Sequence, residues 1–114
     1  MRTYYAKNRK EWRKWLEKNH DKRSEIWLIL YKKDSGFHSV NYLEAVEEAL
    51  CFGWIDILQK ARDENSYVQQ FTPRKPDSKW SESNKKRARR LKVQGHMTES
   101  GEKALPKDLF DNFS

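Results

Sequence analysis

The stretch Trp54-Ile55-Asp56-Ile57-Leu58-Gln59-Lys60-Ala61-Arg62, then Asp63-Glu64-Asn65-Ser66, then Tyr67-Val68-Gln69-Gln70-Phe71-Thr72 decides the fold. The two outer pieces carry strand-forming residues, and the middle piece is made of polar turn formers. Two extended segments joined by four polar residues are expected to pair antiparallel, with strands over 54–62 and 67–72. Pro73 has no amide to continue a ladder and closes the second strand.

Upstream of the hairpin, Asn41 and Glu44 form a capping box, and Val40 with Ala45 can staple the entry. Tyr42, Val46, Ala49 and Leu50 then share one face of a helix. Gly53 suits the turn after it, where a left-handed backbone strains glycine least. Residues 25–33 read as a strand with Ile26, Leu28 and Leu30 on one face and Trp27, Ile29 and Tyr31 on the other. A segment apolar on both sides belongs in the interior of a sheet. Asn8 and Glu11 form another capping box before a helix over 9–19 with Trp12, Trp15 and Leu16 inward. Downstream, Ser78 or Ser81 caps a helix running to about Gln94 and stopped by Gly95, with Trp80, Asn84, Ala88 and Leu91 as its inward stripe. Thr98 caps a short last helix limited by Pro106, and Leu109, Phe110 and Phe113 are expected to dock the tail. The order implies an α+β fold: a small, mainly antiparallel three-stranded sheet packed with four to five helices, in one domain spanning 1–114.

Charge is uneven. Residues 72–94 hold nine bases and two acids, a net +7 that equals the formal charge of the whole 114-residue chain. The remainder is balanced. Such a concentration attracts phosphates, nucleic acid or an acidic partner, and it is also what the outer face of a solvated helix looks like. No apolar run approaches the 18 or so residues of a membrane span, and the N-terminus turns charged before a signal-peptide core forms. A single Cys makes no internal disulfide. A cytoplasmic setting is expected.

Candidate site residues cluster around the ends of the hairpin. Asp56 sits among apolar neighbours and shares a strand face with Trp54 and Leu58, so it needs a partner. Arg74, leaving the neighbouring strand, is the expected one. Lys75 adds positive charge, Trp54 and Trp80 read as core rings or as the aromatic walls of the site, and Asn84 is a polar residue on an otherwise apolar stripe. Lys32 and Lys33 are a solvated strand end or part of an anion site. Cys51, near a helix C-terminus between Leu50 and Phe52, reads as a core thiol. His20, His38 and His96 fall at no metal-binding spacing, and no Gly-rich phosphate loop, nucleophile elbow or Ser/His/Asp set is read from the sequence. No metal, cofactor or catalytic residue is assigned.

The blocks Glu11-Trp12-Arg13-Lys14-Trp15-Leu16, Glu25-Ile26-Trp27-Leu28, Glu47-Glu48-Ala49-Leu50-Cys51-Phe52-Gly53-Trp54-Ile55-Asp56, Phe71-Thr72-Pro73-Arg74-Lys75 and Ser78-Lys79-Trp80-Ser81, with Asn84 and Met97-Thr98 before Gly101, resemble the bacteriocin-protection, YdeI or OmpD-associated family. The similarity runs over about residues 9–105. It implies a small α+β domain linked to the cell envelope and to resistance against antibacterial peptides, and it brings no established reaction. A remoter similarity to small frataxin-like iron chaperones would call for clustered carboxylates or His, and the chain has no dense acidic ridge.

The leading expectation is a non-enzymatic module binding an anionic small molecule or acidic protein partner through Trp54, Asp56, Arg74, Lys75, Trp80 and Asn84. The alternative is nucleic-acid binding through Lys85, Lys86, Arg87, Arg89, Arg90 and Lys92 on the basic helix. A third reading is an enzyme whose reaction is unassigned.

Overall fold

The computed structural model describes residues 1–110. Its elements in chain order are β1 (Thr3–Tyr5), α1 (Arg9–Asn19), β2 (Ile26–Tyr31), α2 (Tyr42–Leu50), β3 (Trp54–Asp63), β4 (Ser66–Pro73), α3 (Glu82–Val93) and α4 (Glu99–Ala104). The strands form one sheet in the order β1-β2-β4-β3. β1 runs parallel to β2, with Tyr4 opposite Leu28, while β2–β4 and β3–β4 are antiparallel.

This corrects the expected three-stranded, mainly antiparallel sheet: among the described residues the sheet has four strands and is mixed, and the helices that pack with it are four, within the expected four to five. The α+β class holds. The missing strand is Thr3-Tyr4-Tyr5. Three residues are too few to carry a period-2 signal, and their extended state comes from pairing with a partner more than twenty residues away.

The helix ends follow their caps. Asn8 accepts from the Glu11 amide, and Asn41 and Glu44 close both halves of their capping box. Ser81 caps α3 and Thr98 caps α4. Val40 and Ala45, the proposed staple, are both fully buried. The helices cover one face of the sheet. Trp12 and Leu16 of α1, Ala45, Val46, Ala49 and Leu50 of α2, and Ala88 and Leu91 of α3 join Ile26, Leu28, Leu30, Trp54 and Phe71 in the main core. Trp12 donates its indole N–H to Ala45 O at 3.0 Å and packs 5.2 Å from Phe71, centroid to centroid, so a large ring is buried without orphaning its polar atom. The opposite face carries a smaller cluster of Trp27, Ile29 and Val68, with the Lys60 ammonium 5.1 Å above the Trp27 ring. β2 is thus covered on both sides, as its two apolar faces require.

β3 departs from simple alternation. Its register with β4 shifts between Asp56 and Gln59. Trp54 is buried, while Ile57 and Leu58 are both about half exposed. The bulge breaks the expected Trp54–Asp56–Leu58 face, because one extra residue flips every side chain that follows. Buried Gln69 sits across from the irregularity and donates its amide to Leu58 O at 3.1 Å. Leu109 is buried and Phe110 is partly exposed; Phe113 lies outside the described residues. Among the described residues no helix is long and apolar enough to cross a membrane.

Candidate functional site

Two segments meet at Gly53. The Arg74 amide donates to Gly53 O at 2.8 Å, which pins the chain as it leaves β4. On the other side α4 presses against the Gly53 backbone. A Cβ there would lie 3.0 Å from Ser100 O and 3.2 Å from Ala104 Cβ, and the residue's φ of +77° disfavours any side chain. The first wall is the 74–80 loop, the second is α4 and the chain after it. Between them opens a cleft of about 620 Å³.

The second wall is held by a backbone approach closer than any side chain would allow. The amide and hydroxyl of Thr98 both donate to Cys51 O, at 3.0 and 2.6 Å. The same hydroxyl oxygen accepts from the Gly101 amide at 3.2 Å. A Cβ on Gly101 would lie 2.1 Å from Cys51 O. The Met97-Thr98 and Gly101 pattern therefore has a mechanical reading: it docks α4 on the last turn of α2.

The first wall carries Arg74. Its guanidinium donates through Nη1 to Ser78 Oγ at 2.9 Å and to Lys79 O at 3.2 Å, and its Cζ lies 3.9 Å from the centre of the Trp80 ring. That is cation–π geometry, and it holds a flexible side chain in one orientation. Burial lowers the Arg74 pKa, and attraction from Asp56 only partly offsets this. Among the described residues Arg74 forms no ion pair. Lys75, Lys103 and Lys107 line the same cleft, with Asp77 as its single acid among the described residues. Four cations against one carboxylate, with Arg74 half-buried and the three lysines exposed, make a field that draws anions.

Of the sequence candidates, Arg74, Lys75 and Trp80 come together here. Trp54 lies in the core, its indole donating to His20 O at 3.3 Å and standing edge-on to Trp15. Asp56 accepts a 2.6 Å hydrogen bond from Tyr42 and has no ion pair with Arg74 among the described residues. Burial and that bond push the Tyr42 hydroxyl up to about 12. Asn84 accepts from Arg87 at 3.0 Å. Neither Asp56 nor Asn84 lines the cleft.

The basic helix is largely engaged with its own chain. Arg87 bonds Asn84, Arg89 donates to Leu109 O at 2.7 Å, Arg90 pairs with Glu47, Lys92 with Glu102 at 2.5 Å, and Lys85 with Glu82 at 3.7 Å. Lys86 has no such partner among the described residues.

Sequence reasoning missed two features. The first is the second half of the cleft, Ser100, Lys103 and Lys107, which α4 brings over Gly53 from some fifty residues away. The second is an ion-pair network on α2. Buried Glu48 accepts two bonds from Arg9, at 2.9 and 2.6 Å, and one from Arg13 at 2.9 Å, while Glu47 takes Arg9 and Arg90. Glu48 falls between Ala45 and Ala49 on the inward stripe, a legible signal that a cation must follow it inside. The neighbouring Cys51 thiol is pushed up to about 11, by burial first and then by the Glu48 charge. Among the described residues no group of three or more His, Cys, Asp or Glu is placed to hold a metal ion.

The profile of a family described as a domain of unknown function, DUF8412, matches residues 4–104. The chain belongs to that family. The matched span of this DUF8412 domain runs from β1 to the end of α4 and so includes the first wall of the cleft and α4, but not the chain after it. Neither a curated protein nor a solved structure matches the chain.

Proposed function

We propose that this DUF8412 protein is a binding module for small anionic ligands, with the cleft between Arg74 and α4 as its site. The observation that carries the reading is the Arg74 guanidinium, stacked on Trp80 and facing three lysines, with no carboxylate paired to it among the described residues. A half-buried guanidinium with free N–H donors is well matched to the oxygens of a phosphate or carboxylate. Lys75, Lys103 and Lys107 add charge that raises the local anion concentration. The nucleic-acid alternative draws less support, since five of the six bases on α3 already meet internal partners. The resemblance to the bacteriocin-protection, YdeI or OmpD-associated family extends the proposal to a role in envelope stress and leaves the ligand unassigned.

The test is a thermal-shift series with inorganic phosphate, pyrophosphate and citrate on the wild-type chain and on Arg74→Ala and Lys75→Ala/Lys103→Ala. A bound anion stabilises the fold by mass action, so Tm should rise with concentration in the wild type and stay flat in both variants. A flat wild-type series at low ionic strength would refute the proposal. So would equal shifts in all three proteins.

A further inference from the structure

We infer that Ser100 is a nucleophile with His20 as its general base, and that the cleft can carry acyl transfer from esters that bear a negative charge. The dyad rests on its own geometry. The choice of an anionic substrate rests on the cleft reading above.

The His20 ring fixes its own proton. Nδ1 lies 2.8 Å from Leu16 O, a backbone carbonyl that only accepts, so Nδ1 carries the hydrogen. In the neutral ring Nε2 then holds a lone pair, and it lies 3.0 Å from Ser100 Oγ. The serine hydroxyl therefore donates to Nε2. Carbonyl, imidazole and hydroxyl form a chain in which a third group orients the base and the base meets the nucleophile. The imidazole is braced besides: it packs 5.2 Å from Phe52, the His20 amide donates to Leu16 O at 2.9 Å, and the His20 carbonyl accepts the Trp54 indole N–H.

Ser100 also stands where a substrate would be. It lines the cation-rich cleft together with Arg74 and Lys75, and Lys103 follows it by three residues on the same face of α4. Lys103 shares a 3.5 Å ion pair with Glu99, both side chains being well exposed, so the ammonium stays available to a ligand.

Ser100 Oγ bonds to the ester carbonyl carbon as its proton passes to His20 Nε2. The carbonyl oxygen takes the negative charge, facing the cations of the cleft. The C–O bond to the leaving alcohol breaks and the alcohol takes the proton from Nε2. Water then attacks the acyl-serine carbon, His20 removes its proton, and Ser100 leaves with that proton as the carboxylic acid is released.

The experiment treats the full chain with a neutral alkyl fluorophosphonate and locates the adduct by mass spectrometry of a digest. It is paired with burst kinetics on p-nitrophenyl butyrate and on the mono-p-nitrophenyl ester of glutarate. The expected result is one adduct on Ser100, absent in Ser100→Ala, and a burst larger for the charged ester. His20→Asn keeps an N–H for Leu16 O without a base, and should slow labelling roughly 100-fold or more. Should His20→Asn fail to fold, the wild-type and Ser100→Ala labelling still decides. Folded wild-type protein with Ser100 unlabelled, or labelling at the same rate in folded His20→Asn, overturns the dyad. An adduct without preference for the charged ester leaves the dyad standing and counts against the anion cleft. Anion-induced stabilisation without an adduct does the reverse.

Discussion

The Arg74 guanidinium lies 3.9 Å from the centre of the Trp80 indole ring, six residues further along the chain. A sharp loop brings the two together, and Ser78 and Lys79 O hold the guanidinium from one side. Orientation of the cation is therefore assigned to an aromatic ring rather than to a carboxylate, which leaves its charge uncancelled. Trp80→Ala should weaken phosphate binding by about 0.5–2 kcal/mol while the fold persists. Arg74→Lys should fail to restore binding, because an ammonium neither stacks nor offers a planar fork. Isothermal titration with pyrophosphate checks both.

Gly101→Ala should damage the fold more than any surface change. The new methyl would sit 2.1 Å from Cys51 O, a backbone atom that can move only with the end of α2. A loss of about 2–3 kcal/mol or more is expected in urea unfolding. Glycine-to-alanine at Gly95, where open space surrounds the position, meets only the strain of φ +79° and should lose less. Equal losses at the two positions would contradict the docking described for α4.

Acid should loosen the helical layer through Glu47. Burial pushes its carboxyl up, but hydrogen bonds from Arg90 and Arg9 outweigh that and leave its pKa below the ordinary 4.5. A carboxylate with a lowered folded pKa contributes stability above its ordinary value and loses it as pH falls through the folded value. Denaturant midpoints should therefore decline below pH 4.5, and Glu47→Gln should flatten the decline.

Cys51 should be inert toward alkylation. Its thiol, pushed up to about 11, holds almost no thiolate at pH 8, and the side chain is fully buried. Iodoacetamide at pH 8 should label the native chain only at the rate of unfolding, and rapidly once urea is added.

Tyr42→Phe removes the hydroxyl that donates to Asp56 at 2.6 Å. Leaving a partly buried carboxylate short of a donor should destabilise by about 1–3 kcal/mol. In the wild type, the raised Tyr42 pKa means stability held below pH 10 and lost as pH rises toward 12. The variant should lose less over that range, a difference that denaturation at pH 9 and pH 11 will read.

Local chemistry was legible in the sequence and long-range geometry was not. Asn8, Asn41, Ser81 and Thr98 announced their helices because a cap acts within three residues. The hairpin announced itself by two strand-forming segments around a polar turn. β1 did not, since three residues take their conformation from β2. The bulge after Asp56 was equally silent, and it changed which β3 residues face the core. At the site, Arg74, Lys75 and Trp80 were readable because they lie within seven residues of one another. Their opposite wall was not, because α4 reaches it only by docking on Cys51. Trp54 was read as a wall of the site, yet its ring has Trp15 and His20 O as neighbours, a role no local pattern distinguishes from a stacking platform.

The bare α-carbon of Gly53 sets a limit on engineering. It acts as a spacer whose thickness is fixed: the 74–80 arm is tied to its carbonyl and the last helix rests on its backbone. The aperture at this pivot cannot be narrowed or retuned by substitution there without prying the arms apart. Selectivity for one guest over another is thus better re-engineered along the exposed arc from Lys75 to Asp77, short of the Ser78 hydroxyl that holds Arg74.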